Sequence, residues 1–211
     1  MNQNYQLLLD KKLEQLQGRG SVPKLLLHSC CAPCSSYVLE YLSEYFSITV
    51  FYYNPNIYPD EEYEKRVKEQ QTFIERFPAK HPISFCQGDF EKDRFYQVTR
   101  GLEQEREGGA RCEACFRLRL EESASLASQM GMDFFTTTLS ISPLKNAELL
   151  KEIGQEMGER YGVEYLCSDF KKRNGYKRSV ELSGEYGLYR QDYCGCVYSY
   201  QERQRQKEER I

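Results

Sequence analysis

Seven of the nine cysteines in this chain of 211 residues fall into three short clusters. The clusters read Cys-Cys-Ala-Pro-Cys at residues 30–34, Cys-Glu-Ala-Cys at residues 112–115 and Cys-Gly-Cys at residues 194–196. Thiolates that converge on one point are the usual ligands of a soft metal ion or an iron–sulfur cluster. The spacing at residues 112–115 is also compatible with zinc, whereas an adjacent pair such as Cys30 and Cys31 is less typical of a zinc site. The sequence therefore predicts a metal-binding or redox-active thiol site.

The rest of the chain indicates the cellular compartment in which we expect the protein. Residues 1–12 are polar, and no stretch approaches the roughly twenty apolar residues that a membrane span needs. We therefore expect a cytoplasmic protein with no membrane partner. Because the cytoplasm keeps thiols reduced, and because the number of cysteines is odd, a framework of structural disulfides is disfavoured. A disulfide within Cys-Gly-Cys would close a short, strained ring, and strain makes a disulfide easier to reduce.

The overall net charge of −3 gives no sign of nucleic-acid binding. One segment differs, because residues 171–178 hold five cations in eight residues, with a tyrosine between them. These cations are Lys171, Lys172, Arg173, Lys177 and Arg178. Such a run is either a solvated loop or a patch that binds phosphate groups, and both interpretations stay open at this point.

Short β-rich runs alternate with longer helical patterns along the chain. This alternation predicts an α/β fold with a parallel, Rossmann-like sheet flanked by helices, as in HUP and PP-loop proteins. We expect a single domain over residues 1–211, with a helical N-terminal extension over residues 1–20, a helical C-terminal extension from about residue 180 and a charged tail over residues 200–211. The predicted strands are 24–28, 48–53, 83–86, 134–138 and 163–167, and the predicted helices are 35–45, 60–77, 89–99, 112–130 and 145–161.

The predicted elements bring the cysteine clusters to one side of the sheet. Ligands of such sheets bind outside the carboxyl ends of the strands, and the first cluster follows the first predicted strand. The three threonines at residues 136–138 end the fourth strand, where they are either β-formers or hydroxyl donors to substrate or sulfur. The second cluster begins a predicted helix, where the helix dipole and free amides stabilise thiolates. The clusters are therefore expected to converge on one edge of the sheet.

Longer motifs surround these cysteines. They read His-Ser-Cys-Cys-Ala-Pro-Cys (28–34), Tyr-Asn-Pro-Asn-Ile (53–57), Arg-Cys-Glu-Ala-Cys-Phe-Arg-Leu-Arg-Leu (111–120), Phe-Thr-Thr-Thr-Leu-Ser-Ile-Ser-Pro (135–143), Gly-Tyr-Lys-Arg-Ser (175–179) and Tyr-Arg-Gln-Asp-Tyr-Cys-Gly-Cys-Val-Tyr-Ser (189–199). Together and in this order, these motifs closely resemble the QueH family of epoxyqueuosine reductases. The resemblance extends over residues 24–200 and leaves out residues 1–20 and the charged tail.

The resemblance implies an oxidoreductase that performs the last step of queuosine biosynthesis. An epoxide on the wobble nucleoside of tRNA is reduced by two electrons to an alkene and water, with electrons from an external donor. The implied cofactor is a 4Fe-4S cluster, used without cobalamin, and the matching ligands here are Cys30, Cys31, Cys112 and Cys115. The substrate also gives the basic segment at residues 171–178 an expected role, which is to hold tRNA phosphates.

The remaining cysteines of the clusters match two further sites of the family. Cys194 and Cys196 match a redox-active pair that cycles between a dithiol and a disulfide. Cys34 stands where some relatives carry aspartate, and the resemblance implies that this position helps to bind a second, mononuclear iron. Thiolate and carboxylate both ligate iron, so the exchange preserves the site but leaves the identity of its metal open.

Two other functions remain as alternatives. A cluster-dependent tRNA thiolase, or another nucleotide-using transferase, has a similar layout but carries a Ser-Gly-Gly-x-Asp-Ser loop that cradles ATP phosphates after the first strand. Residues 29–34 occupy that place here and contain no glycine. The second alternative is a non-catalytic zinc module that binds RNA, which metal analysis would distinguish.

Overall fold

A computed structural model of the protein describes residues 5–17 and 20–209. Five parallel strands form one sheet in the order β3-β2-β1-β4-β5. The strands are β1 (Lys24–His28), β2 (Ser47–Tyr52), β3 (Ile83–Gln87), β4 (Phe134–Thr137) and β5 (Glu164–Tyr165). The predicted parallel α/β fold is confirmed, although β5 is only two residues long where five were predicted.

Eight α-helices connect and follow these strands in the described residues. They are α1 (Tyr5–Leu16), α2 (Ala32–Leu42), α3 (Asp60–Arg76), α4 (Lys92–Val98), α5 (Ala110–Gln129), α6 (Ala147–Tyr161), α7 (Gly175–Tyr186) and α8 (Val197–Glu208), with a short 3-10 helix at Thr138–Ile141. None of the helices in this described part is long and apolar enough to cross a membrane.

The side chains of β1 show why helices cover both faces of the sheet. Successive residues of a strand point to opposite faces, and the three leucines of β1 are all fully buried. Leu26 belongs to an apolar cluster that includes side chains from α5 and α6. Leu25 and Leu27 belong to a second cluster, which includes side chains from α1 and α2. A continuous apolar strand therefore has a core on each side, as buried parallel sheets require.

Two helix boundaries near the cysteines differ from the sequence prediction. Helix α2 begins at Ala32 rather than at residue 35, because Pro33 is tolerated in the first turn, where its missing N–H is not needed. Its N-cap is therefore Cys31, which makes no side-chain cap hydrogen bond. Helix α5 begins at Ala110, so the second cysteine cluster occupies its first two turns.

The two ends of the described chain are helical. Three of the five leucines of helix α1 are buried in the second apolar cluster, against the sheet. Residues 1–4 and 18–19 of the predicted N-terminal extension lie outside the described residues. The C-terminal part consists of α7 and α8, because Gly187 ends α7 in a left-handed conformation and the third cysteine cluster intervenes. Residues 210–211 of the charged tail lie outside the described part.

Candidate functional site

The candidate site lies at the topological switch point of the sheet, between β1 and β4. Strand β1 pairs with β2 on one side and with β4 on the other, so the loops after β1 and β4 diverge to opposite faces. Such a switch point leaves a crevice at the carboxyl ends of the two strands. The first cysteine cluster lies directly after β1, and the threonines at residues 136–138 lie at the end of β4 and directly after it.

Cys30, Cys31 and Cys34 form the tightest group of potential metal ligands. Their three sulfur atoms all lie within 4.8 Å of one another, and the Sγ atoms of Cys30 and Cys31 are 3.8 Å apart. Cys31 is fully buried, while the other two thiols are partly exposed. The group stands at the N-terminus of α2, where free amides and the helix dipole favour negative charge. It therefore offers three soft ligands to a metal ion.

The three thiols influence one another's protonation. Hydrogen bonds from Cys31 and then Cys34 hold the pKa of Cys30 well below its ordinary value, and the charge of Arg119 acts in the same direction. Burial, followed by the hydrogen bond to Cys30, raises the pKa of Cys31 to about 12. The hydrogen bonds to Cys30 and Cys31 raise the pKa of Cys34 as well. The group therefore favours one thiolate, on Cys30, that is stabilised by two neighbouring thiols.

Cys112 and Cys115 lie in the first two turns of α5, and both are buried. The amide of Gly108 donates a hydrogen bond to the Sγ of Cys112 over 3.2 Å. Burial raises the pKa of Cys112, and it raises the pKa of Cys115 to about 12. Both side chains belong to the apolar cluster against which Cys30 packs. Among the described residues, however, neither joins a group of three ligand atoms within 4.8 Å, so the predicted set of four cluster ligands stays a prediction.

Arg119 is a buried cation beside the thiols, and the sequence analysis did not anticipate it. Its side chain donates to Asn54 Oδ1 over 2.6 Å and to His28 Nε2 over 3.2 Å, and its Nη1 lies 4.0 Å from the Sγ of Cys115. The arginine is only 2% exposed, and it forms no ion pair with a carboxylate in the described part of the chain. A buried cation needs an anionic neighbour, and the nearby groups able to become anionic are thiols.

His28 shows the effect of that cation. The residue is fully buried at the end of β1, and its Nδ1 lies 2.8 Å from Thr137 Oγ1. Its Nε2 lies 3.2 Å from Nε of Arg119, which can only donate, and 3.1 Å from the carbonyl oxygen of Tyr53, which can only accept. Burial, followed by the charge of Arg119, lowers the pKa of His28 to about 3. His28 is therefore a buried imidazole with hydrogen-bond partners at both ring nitrogens.

The third cluster brings one partly exposed thiol, Cys194, and one buried thiol, Cys196. The Sγ of Cys194 accepts a hydrogen bond from the Nζ of Lys145 over 3.0 Å, and the same ammonium lies 2.9 Å from Glu107 Oε1. Cys196 is buried and acts as the N-cap of α8, where its sulfur accepts from the amide of Ser199. Both cysteines are free thiols in this structure. Gly195 between them has a φ of +125°, a conformation that side chains other than glycine rarely adopt.

One cleft connects the first and third clusters. It has a volume of about 450 Å³, which lies in the range of pockets for small molecules. Cys30, Cys34, Cys194, Arg119 and Lys145 line it, together with residues of α7, the segment 139–145 and the segment 190–194. Three thiols and two buried cations therefore face the same space, which is large enough to receive a nucleoside.

Comparison with known proteins shows the family to which the chain belongs. The chain matches the family described as "Epoxyqueuosine reductase QueH" over residues 25–202. It is 44% identical over 200 residues to the epoxyqueuosine reductase QueH of Staphylococcus epidermidis, covering 93% of this chain and 84% of that protein. This chain belongs to the QueH family. The QueH protein of Streptococcus pyogenes is 43% identical, with 94% and 80% covered, and that of Thermotoga maritima is 36% identical, with 85% and 91% covered.

The basic segment of this QueH family member is engaged in ion pairs within the protein. Four of its five cations have a carboxylate partner, and Lys172 is exposed without an ion pair among the residues described here. The four pairs are Lys171 with Asp169, Arg173 with Asp10, Lys177 with Glu181 and Arg178 with Glu40. Gly175 already begins α7, so the segment is half loop and half helix. Its role in binding tRNA stays a prediction, with less free charge available than composition indicates.

The threonines and Arg119 belong to the QueH motifs, and the structure shows which groups they contact. Thr138 Oγ1 lies 3.7 Å from the Sγ of Cys30, as the interpretation of a hydroxyl near sulfur predicts, whereas Thr136 donates to the backbone of Leu166. Arg119 follows Cys112 and Cys115 at helical spacings of seven and four residues, which places all three on one face of α5. That spacing was the available signal for Arg119. Lys145 lies in a loop, and no local pattern marks it.

Proposed function

We propose that this chain is an epoxyqueuosine reductase that converts epoxyqueuosine to queuosine at the wobble position of tRNA, in the last step of queuosine biosynthesis. Membership of the QueH family supports this reaction. The observation that carries the proposal is the cleft, in which the thiol of Cys194 faces the same space as Cys30 and Cys34. The reduction requires electrons at a nucleoside-sized site, and the cleft provides thiols at such a site.

The donor set fits an iron–sulfur cofactor. We propose that Cys30, Cys31, Cys112 and Cys115 hold a 4Fe-4S cluster and that Cys34 contributes to a mononuclear iron. The buried Arg119, which has no carboxylate partner in the described residues, supports an anionic sulfur centre in its neighbourhood. When it is bound, such a cluster supplies single electrons at a potential set by its surroundings.

The electron balance of the reaction matches one dithiol. Reduction of an epoxide to an alkene and water breaks two C–O bonds and consumes two electrons and two protons. Oxidation of Cys194 and Cys196 to a disulfide releases two electrons and two protons. One epoxide and one dithiol therefore give one alkene, one water and one disulfide, and an external donor returns the disulfide to the dithiol.

The buried cations of the cleft have defined tasks in this reaction. Lys145 holds the sulfur of Cys194 through its ammonium group, and Glu107 fixes that ammonium from the other side. Cys194 lines the cleft whereas Cys196 is buried, so Cys194 is the thiol that meets the substrate and Cys196 is the thiol that completes the disulfide. Arg119 donates to Asn54 and His28 at the ends of the strands and thereby fixes their orientation beside the thiols.

The remaining expectations about the protein are part of the same proposal. The partners are a tRNA that carries epoxyqueuosine and an external electron donor, and the location is the cytoplasm. The whole chain, residues 1–211, acts as one α/β iron–sulfur domain. These statements rest on the sequence patterns and on the chemistry of the substrate.

The test is a single-turnover assay under anaerobic conditions. The purified protein is analysed for iron, zinc and sulfide, then mixed with an anticodon stem-loop carrying epoxyqueuosine, and the nucleosides are quantified by mass spectrometry. We expect conversion to queuosine by the wild type, none by Cys194→Ser or Cys196→Ser, and unchanged conversion by Cys167→Ser. A colourless protein that retains zinc and converts nothing would refute the reductase, and activity that requires ATP would indicate the transferase instead.

A further inference from the structure

One of the cations that line the cleft, Arg190, has no carboxylate partner in the described part of the chain. Four cations of the basic segment, in contrast, are paired with carboxylates, so their charge is largely satisfied internally. An arginine with free donors beside a nucleoside-sized cleft suits an anionic group that arrives with the ligand.

Arg190 is held in place next to an exposed aromatic ring. Its Nη1 donates to Ser183 Oγ over 3.1 Å and to the carbonyl of Ser179 over 3.5 Å, both on α7. Its guanidinium lies 5.7 Å from the centre of the Tyr176 ring, and Tyr176 is 41% exposed and lines the same cleft. Because α7 fixes both groups, little conformational entropy is lost when a ligand binds to them.

Gln191, the next residue, adds an acceptor. Its side-chain Oε1 is buried and has no hydrogen-bond partner, and the residue lines the cleft. A buried acceptor without a partner is unfavourable, and a ligand N–H placed there would remove that penalty. The pairing edge of a guanine-type base presents such N–H groups.

We propose that Tyr176, Arg190 and Gln191 form the subsite that binds the wobble nucleotide of the tRNA. This inference rests on the proposed function and specifies its substrate recognition. The nucleobase stacks on the ring of Tyr176, Gln191 Oε1 accepts a hydrogen bond from the base, and the guanidinium of Arg190 binds the phosphate of the same nucleotide. Cys30, Cys34 and Cys194 line the same cleft, so a base held at this subsite leaves the epoxide-bearing group facing the thiols.

Binding of a labelled anticodon stem-loop, measured by fluorescence anisotropy with and without epoxyqueuosine, tests the subsite separately from catalysis. Loss of one stacking ring weakens binding of single-stranded nucleic acid by about tenfold or more, so we expect that change for Tyr176→Ala and none for Tyr176→Phe. Tyr96→Ala is the matched control, because Tyr96 is 42% exposed and lies outside the cleft. Arg190→Met should lower the slope of affinity against salt by about one, as expected for one lost phosphate contact.

Steady-state kinetics with the same stem-loop separate the possible outcomes. We expect Tyr176→Ala and Gln191→Leu to raise KM more than they lower kcat, with an unchanged iron content and melting temperature. If the wild type reduces the substrate and the Tyr176→Ala and Arg190→Met variants bind and react like the wild type, the subsite is wrong while the proposed function stands. If the wild type binds the stem-loop in a Tyr176-dependent way but reduces nothing, the proposed function is wrong.

Discussion

Two glycines of α7 provide a sharp test of the packing that positions the cleft. Gly175 begins the helix immediately before Tyr176, and a Cβ at Gly175 would lie 1.9 Å from the carbonyl oxygen of Phe170 and 2.5 Å from the ring of Tyr37. Real Cβ atoms essentially never approach other atoms closer than 3.0 Å. Gly175→Ala must therefore move the start of α7 or its neighbours by about 1 Å, which is an overpacking defect.

The expected magnitude follows from these contacts. Overpacking costs about 1–3 kcal/mol, and more where a backbone atom is the obstacle, so we expect Gly175→Ala to reduce the free energy of unfolding by ~3 kcal/mol. In a chain of this size, that change lowers the melting temperature by about 6–12 °C. Gly184→Ala is the matched control on the same helix, because nothing lies within 4 Å of its Cβ position. Helix propensity alone should make Gly184→Ala more stable by ~1 kcal/mol.

The assay is urea unfolding monitored by circular dichroism, together with thermal melts, for both variants and the wild type. If the two substitutions change stability by the same amount and in the same direction, the close contact of α7 with Phe170 and Tyr37 is wrong. Because Tyr176 follows Gly175 directly, the displacement should also raise KM for the tRNA substrate. An unstable Gly175→Ala variant with an unchanged KM would separate the packing of α7 from the proposed subsite.

Three further predictions concern the thiols and the buried histidine. Gly195→Ala should slow formation of the disulfide between Cys194 and Cys196, measured by mass spectrometry after mild oxidation. The reason is that a φ of +125° costs other residues about 1–3 kcal/mol, and that a Cβ would lie 3.2 Å from Arg66 Nη1. An unchanged rate of disulfide formation would contradict the strained turn. Lys145→Met should slow alkylation of Cys194 by iodoacetamide severalfold, because it removes the cation 3.0 Å from that sulfur, while alkylation of Cys167 should stay constant. The pKa of His28 is lowered to about 3 in the folded protein, so between that value and about 6.5 the unfolded chain binds the extra proton and stability falls as the pH falls. Urea unfolding of the metal-free protein should show this loss, at most ~1.4 kcal/mol per pH unit from this group, and His28→Gln should weaken it.

Sequence patterns were sufficient for the fold because the local signals and the tertiary structure agree. The apolar run of β1 indicated a buried strand of a parallel sheet, and the structure has that strand between β2 and β4. The boundaries were less accurate where a single residue decides them, as Pro33 does at the start of α2. The two-residue β5 shows the same limit, since its length depends on pairing with β4 rather than on its own sequence.

The candidate site was predictable only in its thiols. Cysteines are chemically distinctive and cluster in the sequence, so their types and spacing carry the information. The charges around the cysteines could not be predicted in this way. Arginine and lysine are usually exposed, and only the fold shows that Arg119 and Lys145 are buried. The basic segment gives the opposite case, since Asp10 and Glu40 neutralise two of its cations from positions more than a hundred residues away.

The position of Cys196 as the N-cap of α8 connects thiol chemistry to the order of a helix. Its sulfur accepts from the amide of Ser199 over 3.5 Å, and of the residues of α8 only Ser199 is buried. A helix with so little packing depends on its cap, and a disulfide with Cys194 would constrain the sulfur that serves as that cap. The first turn of α8 is therefore the place where amide hydrogen exchange would report the oxidation state of the cysteine pair. We therefore expect the reduced and oxidised forms to differ at this helix as well as in the cleft.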